Sequence, residues 1–266
     1  MSEDLKYWQV KRTNNLFSGI DLLPPEQRRF AGKILVIGGN RGQFFAVAST
    51  LEAAKRMGAG EVRALMPDSL KNQVPSTPEL YFAPAETSGA FGREALDVML
   101  RQADWADAII LIGDCGKNAE TTMAFAEFMQ KTDKPIFVTR DAIEAVMPSA
   151  GDWALREAET GVLLTMPQLQ KMLRAMYYPK VVTLTMPTNQ LIETLHKFTL
   201  SYQMSVATFH NGLIIVAQNG EVVSQAISDT DWTPISLWSG ALLTKAVVAR
   251  IWNPDKPYYQ VFVSAI

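Results

Sequence analysis

A single cysteine, Cys115, is all the thiol chemistry this 266-residue chain has. That excludes an intramolecular disulfide and a tetrathiolate zinc site. It also fits a reducing compartment, so a cytoplasmic location is expected. Histidine is almost as scarce: His196 and His210 are the two present, and they lack the close spacing of a metal-binding pair. No apolar run approaches the roughly 20 residues of a membrane span; the longest, such as Ala108 to Ile112, have the length of a strand. Net charge is nearly absent, with 25 Lys and Arg against 27 Asp and Glu and a formal charge of −2. The basic residues are scattered, so no clustered field draws in a phosphate backbone. Neither a nucleic-acid partner nor a membrane partner is expected. Met1 to Lys11 is polar and mixed in charge, unlike a secretory signal. A Pro/Gly/Ser-rich linker and an internal repeat are both lacking, which favours one domain.

What is present is a 48% apolar, 20% charged composition, ample for a full-sized core. Residues 1–30 read as a polar lead-in that Pro24-Pro25 brings to a stop. Lys33 to Ile37 (KILVI) is a β-branched run ending in Gly38-Gly39, the pattern of a strand buried on both faces. Phe44 to Met57 then switches to helical spacing, and Gly58 and Gly60 end it. Glu61 to Met66 is the next strand, completing a βαβ unit with parallel pairing.

The alternation continues. Helices are predicted over Arg93 to Arg101 and Ala119 to Gln130. Strands are predicted over Ala108 to Ile112, Pro135 to Thr139, Thr160 to Thr165, Val181 to Leu184, Val206 to Phe209 and Leu213 to Ala217. Asn211-Gly212 marks a hairpin, with His210 as a turn residue, and Asn219-Gly220 marks a second turn. Leu237 to Ile251 is a long, mostly aliphatic helix. Together these describe a three-layer α/β domain with a mixed sheet.

Two strand ends could carry chemistry. Gly38-Gly39-Asn40-Arg41-Gly42 precedes a helix, where backbone amides and the helix N-terminus could meet an anion. The same glycines could simply supply a tight turn. The run is neither a Walker A loop nor a GxGxxG fingerprint. Gly113-Asp114-Cys115-Gly116-Lys117-Asn118 ends another strand, at the edge where ligands bind in doubly wound sheets. Asp114 could equally cap the helix that follows. Cys115 reads as a small buried hydrophobe rather than a nucleophile. Asp229 and Asp231 read as solvated loop residues, and no Ser-His-Asp or paired-carboxylate set can be defended from spacing.

The order of these pieces resembles the ADP-dependent NAD(P)H-hydrate dehydratases, the YjeF C-terminal or carbohydrate-kinase-related branch of the ribokinase-like superfamily. The resemblance runs from about Leu22 to the C-terminus. It rests on Leu23-Pro24-Pro25, on Gly32 to Asn40, and on Gly42, Ala46, Gly58-Ala59-Gly60 and Pro78-Glu79. It implies a ribokinase-like three-layer α/β/α sandwich with a mainly parallel central sheet over residues 31–266. It also implies ADP or ATP and an NAD(P)H-type ligand as cofactors, bound by Gly38, Gly39, Asn40, Ala46, Gly113, Gly116 and Thr233.

Several family motifs are altered. Ile112 to Gly116 resembles a glycine-proline-glycine turn that has lost its proline. Thr139 to Ile143 keeps only the second aspartate of an Asp-Ala-Asp-Ala-Leu strand end. Leu164-Thr165-Met166-Pro167 lacks the histidine of a Leu-Thr-Pro-His run. Phe209-His210-Asn211 stands where the resemblance implies Lys-Gly-Ala. Trp232-Thr233-Pro234-Ile235 stands where it implies Gly-Thr-Gly-Asp, so Ile235 occupies the position of the acid/base aspartate. Isoleucine moves no proton, and Pro234 has no amide for a phosphate.

The reading that follows is a non-catalytic ligand-binding or assembly paralogue. The alternatives are an active lyase of this family or a small-molecule kinase of the same fold. Trp8, Trp105, Trp153, Trp238 and Trp252 are large aromatics to hide. A homo-oligomer is therefore expected, with association with an active family member as a further possibility.

Overall fold

The structure, a computed structural model, describes residues 6–11, 16–227 and 240–266. Its framework is a ten-stranded sheet in the order β1-β10-β9-β8-β7-β6-β5-β2-β3-β4. In chain order these are β1 (Trp8–Lys11), β2 (Lys33–Gly38), β3 (Glu61–Pro67), β4 (Leu80–Ala83), β5 (Ala108–Gly113), β6 (Ile136–Thr139), β7 (Thr160–Leu164), β8 (Met204–His210), β9 (Leu213–Gln218) and β10 (Glu221–Ala226). Strand β9 runs against both its neighbours, and every other pairing is parallel.

The aliphatic runs explain the layering. Along β2, Leu35 and Ile37 enter one core while Ile34 and Val36 enter the other. This is the two-residue alternation of a strand covered on both faces. One face is covered by α1 (Phe45–Met57), α8 (Ala241–Trp252) and α9 (Tyr258–Ala265). The other is covered by α2 (Ala95–Trp105), α3 (Ala119–Lys131), α4 (Ala142–Val146), α5 (Ala150–Trp153), α6 (Met166–Ala175) and α7 (Thr188–Ser201). The three-layer sandwich is the one expected.

Helix α1 leaves β2 on one face and α3 leaves β5 on the other, although β2 and β5 are adjacent. Their carboxyl ends therefore form a topological switch point, the crevice where open α/β sheets receive ligands.

Some local expectations are corrected. Val181 to Leu184 is not a strand: it lies in the irregular connection between α6 and α7. Only Val182 is buried, while Val181 and Leu184 are 72% and 65% exposed. Four residues between Pro179 and Pro187 had suggested β-propensity, but no neighbouring strand receives them. His210 is the buried last residue of β8 rather than a turn residue, with its Nε2 2.8 Å from the Met186 carbonyl. The aliphatic helix begins, within the described residues, at Ala241, behind Gly240 in a left-handed conformation.

Both Asn-Gly turns are as expected, with all four residues at positive φ, and each joins an antiparallel pair. Strands β1, β4 and β10 went unrecognised. Strand β1 falls within the lead-in stretch yet pairs with β10, and Lys11 Nζ donates to the Val263 carbonyl (2.6 Å) in the last turn of α9. A cation there complements the helix C-terminus.

Candidate functional site

The two glycine-bearing strand ends meet. The Gly39 amide donates to the Gly113 carbonyl at 2.8 Å, and Asn40 Nδ2 donates to the Asp114 carbonyl at 2.5 Å. A Cβ on Gly38 would stand 2.4 Å from the Gly113 oxygen, and one on Gly113 would stand 2.1 Å from Asp141 Oδ1. Close approach of protein to protein thus accounts for both glycines. Gly39, Gly113 and Gly116 also have positive φ, which a side chain rarely tolerates.

The centre of the site is Asp114, itself at φ 57° and only 5% exposed. Its carboxylate does not cap α3, one of its expected roles; Asn118 does that, accepting from the Thr121 amide at 2.9 Å. Asp114 reaches instead across 68 residues of sequence to α1, where its Oδ2 accepts the Ala46 amide at 2.7 Å. Its Oδ1 accepts from Arg140 Nη2 at 2.8 Å, and Arg140 is 7% exposed. An anion therefore already occupies the N-terminal turn of α1, and it is a side chain of the protein.

Asp141 closes the network from beneath, accepting from the amides of Asp114 (2.9 Å) and Cys115 (3.2 Å). The Arg140 carbonyl accepts from Gln168 Nε2, and Gln168 forms a reciprocal capping box with Thr165 at the start of α6. Thr165 thus serves as a helix cap. Cys115 is fully buried. Burial, with Asp141 and Asp114 adding negative charge, pushes its thiol well above the ordinary range, so it is no nucleophile.

Of the expected site residues, Gly38, Gly39, Asn40, Ala46, Gly113 and Gly116 come together at this edge. Thr233, with Pro234, Ile235, Asp229, Asp231 and Trp238, lies outside the described residues. Arg140 was missed as a site residue. The available signal was a lone arginine at a strand end, in register to meet Asp114 one strand over. Among the described residues no group of three or more His, Cys, Asp or Glu side chains could hold a metal. None of the described helices is long and apolar enough to cross a membrane.

The four described tryptophans find partners within the chain, while Trp238 lies outside the described residues. Trp153 is buried and donates to the Val146 carbonyl, Trp8 donates to Ser224 Oγ, and Trp252 donates to the Ala31 carbonyl. Trp105 lies under Arg63.

No family model matches the chain. It is 33% identical over 116 residues, 42% of its length, to a bifunctional NAD(P)H-hydrate repair enzyme of Methanothermobacter thermautotrophicus, covering 22% of that protein. It is 32% identical over 119 residues to an ADP-dependent (S)-NAD(P)H-hydrate dehydratase of Natrialba magadii, 44% of this chain and 45% of that one. The matched stretches are thus less than half of either relative. In three dimensions the chain is similar to a ribokinase-like superfamily protein from Enterococcus faecalis, with a TM-score of 0.69 at 13% identity, covering 100% of this chain and 87% of that one. An ADP/ATP-dependent NAD(P)H-hydrate dehydratase from Bacillus subtilis, co-crystallised with ATP/Mg2+, superposes with a TM-score of 0.58 at 12% identity, over 91% of this chain and 82% of the other.

Proposed function

For this ribokinase-like relative of the NAD(P)H-hydrate dehydratases, we propose a non-catalytic role, as a ligand-binding or assembly paralogue. One observation carries the reading: the Asp114 carboxylate, neutralised by Arg140, sits on the α1 amide that a ligand anion would need. A phosphate at that turn would meet the Asp114 carboxylate in its place and an amide already taken. Displacing Asp114 would break a buried ion pair, which is costly. The first glycine turn therefore does not fit a phosphate.

The substitutions outside the described residues support the same reading. Ile235 stands at the implied aspartate position and cannot act as an acid or base, and Pro234 offers no amide. Loss of general acid–base catalysis alone removes roughly 10²- to 10⁴-fold in rate. Among the described residues, the exposed rim of this edge includes Arg41, Gly42, Gln43, Phe45, Gly116 and Lys117, which a nucleotide or an NAD(P)H-type ligand could still touch.

The test is to incubate hydrated NADH with the protein and ADP or ATP and follow the return of NADH absorbance. The expected rate is that of the protein-free control. Robust turnover, abolished by Asp229→Ala or Asp231→Ala, would show that the chemistry had moved to those carboxylates and would refute the proposal. A thermal-shift panel of ADP, ATP, AMP, NADH and NADPH reads ligand binding separately, because a ligand of the folded state raises stability by RT ln(1 + [L]/Kd). In the assembly role the chain forms homo-oligomers or joins an active relative. Light scattering that finds a monomer at tens of micromolar, alone and mixed with such a relative, would exclude that role.

A further inference from the structure

The sheet has a second edge, and a different chemistry gathers there. Lys33 opens β2 and Glu61 opens β3, so both lie at the amino ends of parallel strands. This is about 17 Å from Gly38 at the ~3.3 Å rise of a strand residue. Around them is a depression of about 710 Å³ that Arg28, Arg29, Lys33 and Arg63 help to line. Its two carboxylates are Glu61 and Glu79, and Glu79 is engaged by Lys55 at 2.5 Å. Among the described residues, no carboxylate lies within ion-pair distance of any of the four cations. In a chain of formal charge −2, four cations against two carboxylates make this a local excess of positive charge.

Two of the cations are already positioned. Arg63 lies over the Trp105 ring at 3.8 Å and the Tyr81 ring at 4.8 Å, and its Nη1 donates to Gln102 Oε1 at 3.1 Å. Arg28 Nε donates to the Gly60 carbonyl at 2.8 Å. Each guanidinium is thereby held, with N–H groups left over on its fork. Holding them in advance removes part of the ordering cost of binding. Planar forks of this kind suit the oxygens of phosphate. Arg29, over the Phe30 ring at 4.7 Å, and Lys33, over the Trp105 ring at 5.9 Å, add two further charges.

We propose that this trench is a ligand site for a small molecule carrying a diphosphate group. The volume lies within the small-molecule range of roughly 300–1,000 Å³. The cations are confined to one concavity, rather than drawn out in the basic stripe that a nucleic acid would require. The site is independent of the carboxyl edge and of the function proposed for it.

The experiment is calorimetric titration of the full chain with inorganic pyrophosphate at low and moderate salt, beside inorganic phosphate and a short RNA. Saturable 1:1 binding of pyrophosphate, tighter than phosphate, is the expected result. Arg29→Ala and Lys33→Ala should each weaken it about tenfold, the scale of one charge-assisted contact. The surface control Lys131→Ala should leave it unchanged, while the opposite-edge variant Lys117→Ala reports any binding at the carboxyl edge instead. Arg63→Ala also removes packing against two rings, so the exposed Arg29 variant keeps the test clear of folding effects. Three results would overturn the site: no saturable binding at low salt, equal weakening by the Lys131 control, or a transition more sensitive to Lys117→Ala. Tighter binding of the RNA than of pyrophosphate would overturn the small-molecule assignment.

Discussion

Removing the Asp114 carboxylate is the sharpest perturbation available. Asp114→Ala leaves the Arg140 guanidinium buried at 7% exposure without its carboxylate, and leaves the Ala46 amide at the start of α1 without its acceptor. Breaking a buried ion pair from one side costs about 3–5 kcal/mol. For a chain of this size, at about 2–4 °C per kcal/mol, the melting temperature should fall by roughly 6–20 °C. Urea denaturation followed by circular dichroism gives the change in midpoint, with a constant m-value showing that the unfolded state is unaltered. Asp114→Asn should cost less, because the amide oxygen can still accept one of the two bonds. Pairing Asp114→Ala with Arg140→Met should recover part of the loss, since both halves of the buried ion pair are then removed together. The variant also bears on function. With the α1 amide and one face of the Arg140 guanidinium released from the carboxylate, the glycine turn should gain affinity for sulfate or phosphate. A loss below about 1 kcal/mol, the level of an exposed pair, would refute the idea that this carboxylate closes the site. So would a double variant no better than the single one.

Two other outcomes are expected. Because burial and the neighbouring aspartates raise the Cys115 thiol, it stays protonated when folded but ionises when unfolded above about pH 8.5. Stability should therefore be insensitive to this group below that pH and fall by about 1.4 kcal/mol per pH unit above it. Cys115→Ser should remove that slope, while Lys11, which burial lowers, contributes the opposite sign nearer pH 10. A thiol reagent at pH 8 should label Cys115 only after denaturation. Among the glycines, Gly113→Ala forces a Cβ to 2.1 Å from Asp141 at φ +104° and should cost about 2–5 kcal/mol. Gly151→Ala meets nothing within 4 Å at ordinary φ and should stabilise by about 0.4–1 kcal/mol; equal effects in thermal melts would contradict both assignments.

The central strands and their turns were legible because their causes are local. KILVI followed by Gly-Gly is a buried strand and its exit wherever it occurs, and Asn-Gly at residues 211–212 and 219–220 turns a chain through residues that tolerate positive φ. Resemblance of spacing added the ribokinase-like layering. It also brought Gly38, Gly39, Asn40, Ala46, Gly113 and Gly116 to one sheet edge.

The occupant of that edge could not be read in the same way. Asp114 fits a helix cap when only its own neighbours are considered; its actual partners are Ala46, 68 residues away, and Arg140, 26 residues away. Strands β1 and β4 went unseen for a related reason. Four-residue edge strands carry little pattern of their own, and only the row of free backbone groups on β10 and β3 draws them into the sheet. Val181 to Leu184 fails in the opposite direction, with strand-forming residues but no edge to receive them. Local propensity and turn chemistry are properties of a few consecutive residues, so the amino-acid order determines them. A salt bridge, an edge pairing or a shared cavity depends on which distant segments the sheet brings within a few ångströms, and that only the tertiary structure decides.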